Sequence, residues 1–551
     1  MNFNTQLFRL DSLSSFVGIF ICFFSLLTVI YSIGFMKGRE NLFRYYAYII
    51  LTSLASLGAV FSNDLILFIV CWGFSGLTLY LLINFGRKKS TPDTAKKAFI
   101  IVGGADALML LGLGLLLKIA GTSQMDKISI ALNSKPAVLA YLCLACGAFA
   151  KAGAMPFHTW VPDTAEDAPT PVTAFLPASL DKLLGIYLLA RISLDIFQLD
   201  TAMRTFLMAV GSFTIVAAVM MALIQHDMKK LLGYHAVSQV GYMVLGIGTG
   251  VPIGIAGGLF HMLNNAIYKS CLFFSAGSVE KKAGTTDLDK LGSLAKFMPI
   301  TFICFLIASF AISGVPPFNG FVSKWMIYQG IIETAKGGGW LWVLWLVAAL
   351  FGSALTLASF MKLIHAVFLG QPSKEEQVKS VKTKEVGPSM WIPTIILASL
   401  CIVFGVFAYK IPITYYIAPS VPGNLTFTGI WDSGLAAGLM LLAMVIGFII
   451  YLIGTVSKSR ETEIFMGGET LKECPHMRVS GTEFYKTVQD IGILKLIYSM
   501  AKKKMFDIYE VGAKIAFAFN AMLKFIHNGV LPTYLSWCLL GMIVLFYILL
   551  K

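Results

Sequence analysis

A small set of ionisable side chains stands inside otherwise apolar runs: Asp106, Lys151, Asp181, Lys182, His261, Lys269, Lys324, Lys362 and His365. A charge near the centre of a bilayer costs about 2.5–3.5 kcal/mol on insertion scales, so each needs a reason to be there. The chemistry that this set can do is proton handling. Desolvation favours a neutral amine and a neighbouring carboxylate favours a charged one, so a lysine whose acidic partner approaches and withdraws loads and unloads a proton. A series of such lysines alternating with histidine makes a wire through the membrane centre. Metal chemistry fits poorly, since lysine is a weak ligand and no His/Cys/carboxylate group has ligand spacing. No nucleophile stands beside a base.

The members of the set differ in their bland explanation. Lys182 and Lys269 are each about ten residues from the nearer helix end, farther than a lysine stem reaches, so snorkelling to the headgroups does not account for them. Lys362 and Arg191, near helix ends, read as snorkelling residues. His158 reads as interfacial, and His365 stands between an interfacial and a relay role.

The elements that position these groups are membrane helices. Of the 551 residues 57% are hydrophobic and only 13% charged, a balance that a polar surface on a chain of this length excludes. The chain is expected to be an all-α polytopic membrane protein of about fourteen spans: 13–36, 42–61, 64–85, 97–118, 137–155, 172–194, 203–225, 232–250, 252–279, 298–333, 340–369, 390–409, 432–456 and 529–550. No small-residue cleavage site follows the first apolar run, which is therefore expected to remain as a span. Loops sorted alternately put Lys37, Arg39, Arg44, Arg87, Lys88, Lys89, Lys96, Lys97, Lys229, Lys230, Lys281, Lys282, Lys290, Lys296 and the lysines of 374–384 on one side. The other side receives Arg9, Lys118, Lys127, Lys135, Arg204, Lys336, Lys410 and Lys551. The positive-inside rule makes the first side cytoplasmic in a prokaryotic cell membrane and leaves both termini outside. The net charge of +14 is thus a matter of topology and not of nucleic-acid binding.

Two helices are interrupted alike. The fifth ends in "AFAKAGAMPFHTWVPD", with Pro156, and the tenth is cut by "SGVPPFNGFVSKW", with Pro316 and Pro317. Breaks at membrane depth are tolerated only where the freed backbone faces protein or a wet cavity. They lie five helices apart, so helices two to six and seven to eleven form two inverted five-helix repeats, a pointer to a transport path at their interface. The organisation expected is an N-terminal span (1–41), the two repeats (42–202 and 203–370), peripheral spans and loops (371–460), a polar loop with an amphipathic lateral helix (461–528) and a last span (529–551). From Thr482 to Phe525 apolar residues recur in steps of three and four, and a helix of that length would reach about 60 Å along the membrane surface, on lipid or on a neighbouring subunit.

Redox and nucleotide chemistry find no place in this chain. Cys143 and Cys146 have C-x-x-C spacing without a second pair and read as small buried hydrophobes. There is no P-loop, and "GVPIGIAGG" lacks the strand that a dinucleotide fingerprint requires.

The motifs "GAFAKAGAMPFHTWVPDTAEDAPTPV", "KKLLGYHAVSQVGYM", "FHMLNNAIYKSCLFFSAGSV" and "SGVPPFNGFVSKW" resemble those of the antiporter-like subunits of respiratory complex I, membrane-bound hydrogenases and multi-subunit sodium/proton antiporters. The resemblance spans about residues 8–370. It implies two half-channels joined by a hydrophilic axis, with Lys151 as the carboxylate-paired lysine and Lys182 as the bridge. It also implies His261 and Lys269 as the central pair and Lys324 as the exit lysine. Three departures stand out. Gly73 follows Trp72 where the family has glutamate, which makes Asp106 the best substitute partner for Lys151 and Asp181 another. Asn265 stands where some members have histidine. The chain begins at the "LDSLSSF" helix, without two N-terminal helices common in relatives.

The leading expectation is a non-catalytic, proton-translocating subunit of a complex-I-related redox complex of the hydrogenase or ferredoxin-oxidising kind. Iron–sulfur or other redox cofactors would then lie in partner subunits, with no cofactor or metal in this chain. The alternatives are a subunit of a multi-subunit sodium/proton antiporter and the energising subunit of an inorganic-carbon uptake or CO2-hydrating complex. Partners expected are other membrane subunits, the bilayer, and protons or sodium.

Overall fold

Helices begin where the sequence supplies a cap. In the computed structural model, which describes residues 7–370, 384–427, 433–453, 482 and 485–550, the side chains of Asp11, Asp64, Ser134, Asp200 and Asp227 each accept a backbone N–H in the first turn of the helix that follows. Several helices stop at a glycine in the left-handed region, including Gly121, Gly153, Gly284 and Gly314.

The helices are α1 (Ser12–Phe35), α2 (Leu42–Phe61), α3 (Leu65–Ile83), α4 (Thr91–Ala120), α5 (Lys135–Ala152), the short α6 (Trp160–Asp167) and α7 (Thr170–Ile196). There follow α8 (Thr201–Leu223), α9 (Met228–Gly248), α10 (Pro252–Ala283), α11 (Pro299–Ser313), α12 (Asn319–Glu333), α13 (Leu341–Leu369), α14 (Pro388–Val406) and α15 (Ser433–Ile453). One two-residue parallel pairing, Ile130–Ala131 with Phe197–Gln198, ties the loop before α5 to the end of α7. The core centres on α10, which packs against α7, α9, α11, α12 and α14.

A helix lies at each of the fourteen expected spans, but among the described residues only ten are long and apolar enough to cross a membrane, so the count of fourteen is not established. The shortfall has physical causes. Helices α9 and α10 are buried nearly throughout and carry polar groups inward, which lowers their hydropathy. Helices α11 and α12 are the halves of one broken span, at 15 residues each. In α15 the described apolar window, Gly438–Ile450, is short. The loop lysines of 374–383 and the polar stretch around 461–477 lie outside the described residues. Lys97, sorted above with the loops, is buried in the second turn of α4, 2.8 Å from Asp163 of α6.

The breaks occur as expected, and in the same way. Helix α5 ends at Ala152 before Gly153 (φ 79°) and α11 at Ser313 before Gly314 (φ 80°). Each glycine takes a backbone conformation that a Cβ would strain. Prolines follow, which cannot donate the N–H that would continue the helix, and carbonyls at both helix ends are left to find other donors.

Arg191 is not a snorkelling residue. Its guanidinium is buried and held by Asp11 and Asp195, each at 2.6 Å, so it pins the start of α1 to the end of α7. Burial alone would raise the Asp11 pKa, but the Arg191 hydrogen bond and charge, with Ser14, outweigh it and hold the carboxyl at about 2, below its ordinary 3.8. Stability from this clamp is therefore fully present above pH 3.8 and is lost as pH falls through about 2. Asp11→Asn is expected to lower Tm of the detergent-solubilised protein at pH 7 and to flatten its profile between pH 2 and 4. An unchanged profile would show that the clamp contributes nothing.

Residues 491–551 form a second compact unit, and here the sequence expectation needs correction. The amphipathic stretch is not one helix. It comprises α16 (Lys486–Asp490), at the end of the first unit, then α17 (Gly492–Lys502) and α18 (Ile508–Ile526), before the apolar α19 (Leu531–Leu549). Lys504 adopts φ 56°, and Asp507 caps a new helix by accepting from Tyr509 N–H at 3.0 Å. The apolar steps of four and three continue across the break through Ala501, Met505 and Ile508, which is why helical periodicity alone does not reveal it.

Candidate functional site

Lys151 lies in the last turn of α5, wholly buried. Its ammonium donates to Ser75 Oγ at 2.7 Å, lies 3.7 Å from Asp181 Oδ1 and faces the Trp72 ring at 5.5 Å. Among the described residues, Asp181 alone comes within ion-pair distance of it. Asp106, the partner favoured by the sequence, accepts from the Trp72 indole N–H at 2.8 Å and is only half-buried. Trp72 thus stands between Asp106 and Lys151, giving its N–H to one and its ring face to the other. Gly73 is exposed, and a Cβ built there meets nothing within 4 Å. The face of α3 that meets Lys151 carries Trp72 and Ser75.

Asp181 is placed by a local distortion. Pro177 has no N–H, and α7 widens into a π-turn over Leu176–Leu180, so that the Asp181 N–H bonds Leu176 O. Side chains of α10 take up carbonyls loosened there: Asn265 Nδ2 donates to Ala178 O at 3.2 Å and Ser270 Oγ to Ala174 O at 3.2 Å. Asn265 therefore braces the turn that presents Asp181 and Lys182.

The lysines beside the breaks share one arrangement. Lys182 donates to Ala152 O, the last carbonyl of α5. Lys324 donates to Ile312 O, in the last turn of α11, at 2.9 Å. A helix C-terminus carries partial negative charge on its unpaired carbonyls, which attracts an ammonium group. Each broken helix end thus holds a lysine that, among the described residues, has no carboxylate within ion-pair distance.

Lys269 donates to Leu232 O of α9 at 2.9 Å and lies 5.7 Å from the Phe360 ring. His261 joins Ser323 Oγ (2.9 Å) through Nδ1 and Gln239 Oε1 (3.1 Å) through Nε2, with the Tyr268 hydroxyl at 3.3 Å from the same Nε2. Lys324 faces the Tyr242 ring at 4.8 Å. The Tyr242 hydroxyl continues to Ser353 Oγ at 3.0 Å, and that oxygen to the Tyr328 hydroxyl at 2.6 Å.

Sequence reading missed His235. It is wholly buried on α9, 2.8 Å from Ser359 Oγ and 4.8 Å from the Phe360 ring, and within Coulombic reach of both Lys269 and Lys324. Its position in "KKLLGYHAVSQVGYM" was the available signal, since the nearby lysines mark a helix end and hide how deep the histidine lies. Lys182 and Lys269 are also in Coulombic reach of each other, as are Lys324 and His261. By mutual Coulombic reach Lys151, Asp181, Lys182, Lys269, His235, Lys324 and His261 form one buried series, with the half-buried Asp106 within the same reach of Lys151 at its edge.

His365, expected in this series, falls outside it, and Lys362, read above as snorkelling, is held elsewhere. His365 is exposed where a π-turn ends α13. Lys362 is buried, and donates to Leu223 O and Gln225 O, both at 2.9 Å, closing the end of α8 instead of reaching for headgroups. Among the described residues no group of three or more His, Cys, Asp or Glu side chains could hold a metal.

The family model described as NADH:quinone oxidoreductase/Mrp antiporter, TM, matches residues 62–356, more than half of the chain and the whole of this series. A second, described as NADH-ubiquinone oxidoreductase (complex I), chain 5 N-terminus, matches residues 2–46. Curated relatives include the Na(+)/H(+) antiporter subunit A1 of Staphylococcus saprophyticus, 35% identical over 403 residues, 69% of this chain and 50% of that protein. The subunit A1 of Staphylococcus haemolyticus is 32% identical over 429 residues, 74% of this chain and 53% of that protein. The chain thus spans about half the length of the curated relatives it matches. Solved structures with this fold include the Mrp complex from Dietzia sp. DQ12-45-1b, with TM-score 0.68, 22% identity and coverage of 75% of this chain and 83% of that one. An archaeal membrane-bound sulfane sulfur reductase complex matches with TM-score 0.80 and 22% identity over 98% of this chain and 89% of that one. A multi-pass membrane protein with interrupted helices and a buried lysine series, this chain belongs to the family of antiporter-like membrane subunits shared by complex I and Mrp antiporters.

Proposed function

We propose that the chain is the proton-conducting, antiporter-like subunit of a multi-subunit cation/proton antiporter in a prokaryotic cell membrane. The observation that carries this reading is the series of buried amines and imidazoles. Lys151, Lys182, Lys269 and Lys324 are wholly or almost wholly buried, yet Asp181 is the one carboxylate within ion-pair distance of any of them among the described residues. Lone buried charges are expensive unless paired, so protons on these amines are poised to move. The named relatives are sodium/proton antiporter subunits, which favours this reading over the redox-driven one suggested by the sequence.

The path needs donors and acceptors between the amines. Asp181 Oδ2, His235 Nδ1, Gln239 Nε2, Asn264 Oδ1 and Asn265 Oδ1 are buried without a protein partner, and water is the ordinary partner of such atoms. A proton taken up near Lys151 passes by way of Asp181 to Lys182, on to Lys269 and His235, and out by Lys324, where His261 and the Tyr242–Ser353–Tyr328 hydroxyls lie. Charge at one lysine displaces the proton on the next.

A redox-driven complex is the second reading. It is favoured by the match over 98% of the chain to a subunit of a respiratory membrane complex, and it would place iron–sulfur or other redox cofactors in partner subunits. Proteoliposomes of the complete co-purified complex distinguish the two. A sodium gradient is expected to drive proton movement, and Lys324→Ala to slow it at least tenfold. Proton movement that appears only with an electron donor supports the redox reading, and a wild-type rate in Lys324→Ala overturns the series as the path.

A further inference from the structure

At the lysine- and arginine-rich end of the first unit, a cavity of about 620 Å³ opens between the α1–α2 turn and the α3–α4 turn. Arg39, Arg44 and Arg87 line it, Glu40 is its one carboxylate, and Tyr48 and Leu81 form its apolar side. The three guanidinium groups have no ion pair among the described residues. The Arg39 guanidinium lies over the Phe35 ring at 5.1 Å, and its one hydrogen bond among the described residues, to Phe85 O, is long at 3.5 Å. Burial and the neighbouring Arg87 push the Arg39 guanidinium below its ordinary value. Glu280 attracts Arg39 from a distance, but it is bonded to Thr170 and to Lys229 at 3.3 Å. Like charges gathered with so little compensation call for an anion, and guanidinium forks match phosphate oxygens.

The cavity continues into an apolar surface. Leu51 of α2, about one turn beyond Tyr48, and Leu77 and Phe74 of α3, one and two turns from Leu81, are exposed large hydrophobics on the faces of two adjacent helices that line the cavity. The geometry points to a seat for an anionic phospholipid, its phosphate among Arg39, Arg44 and Arg87 and its acyl chains along α2 and α3. A free phosphate would gain nothing from the apolar continuation, and a zwitterionic headgroup would bring its own cation against the arginines.

The test uses the full chain purified in an uncharged detergent and titrated with short-chain phosphatidylglycerol, short-chain phosphatidylcholine or inorganic phosphate, with binding read by calorimetry. Phosphatidylglycerol is expected to bind at least tenfold more tightly than either of the others, and less tightly as salt rises. Arg44→Gln/Arg87→Gln, which changes two exposed side chains, is expected to remove that preference. Should the double variant fold poorly, Leu77→Gln tests the acyl seat and is expected to weaken phosphatidylglycerol binding without changing that of inorganic phosphate. Equal binding of the two lipids, a preference kept in the double variant, or inorganic phosphate binding as tightly as phosphatidylglycerol would each overturn the proposal.

Discussion

Lys182→Ala is expected to reduce ion movement by the reconstituted complex to background, and Lys182→Arg to do the same while leaving the fold intact. The paired outcome separates charge from proton transfer. Alanine removes the amine that joins the Lys151–Asp181 pair to Lys269 and leaves Ala152 O at the break without its donor, a loss of about 1–3 kcal/mol for an unsatisfied buried group. Arginine restores a donor and a positive charge but does not give up its proton in a protein. Transport by the arginine variant at even a tenth of the wild-type rate would mean that residue 182 supplies charge alone and that the proton goes round it.

Asp181→Asn is expected to have the largest effect on stability. It leaves the Lys151 ammonium buried with Ser75 and with no carboxylate in ion-pair range, and breaking a buried pair in this way costs about 3–5 kcal/mol. A clear fall in Tm of the solubilised protein should accompany loss of transport. Asp106→Asn should cost less on both counts, because that carboxylate is half-buried and is bonded to the Trp72 indole. If Asp106→Asn proves the more damaging, Asp106 and not Asp181 is the working partner of Lys151.

Some of this was legible in the sequence and some was not, for physical reasons. Lysines in apolar runs are conspicuous because membrane insertion penalises them, and Lys151, Lys182, Lys269 and Lys324 could be picked out without coordinates. Interruptions at Pro156 and at Pro316 and Pro317 were equally plain, since proline removes a donor wherever it falls. The choice between Asp106 and Asp181 was not legible, because it depends on a π-turn that rotates Asp181 toward α5. Nor was the role of Arg191, whose partner Asp11 is 180 residues away. His235 was hidden by a helix that begins with lysines, and the exposure of His365 by the π-turn at the end of α13.

The joint at Lys504 divides the C-terminal amphipathic segment in two. Helices of 11 and 19 residues make rods of about 16 Å and 28 Å, and between them the chain turns through a left-handed residue. The largely solvent-exposed Lys504–Glu510 ion pair crosses the joint at 3.0 Å, beside the backbone bonds from Lys504 N–H to Ala501 O, Met505 N–H to Met500 O and Asp507 N–H to Lys504 O. The segment therefore carries two amphipathic rods on either side of a hydrogen-bonded corner, so the apolar face of each is set separately and not by one continuous helical period.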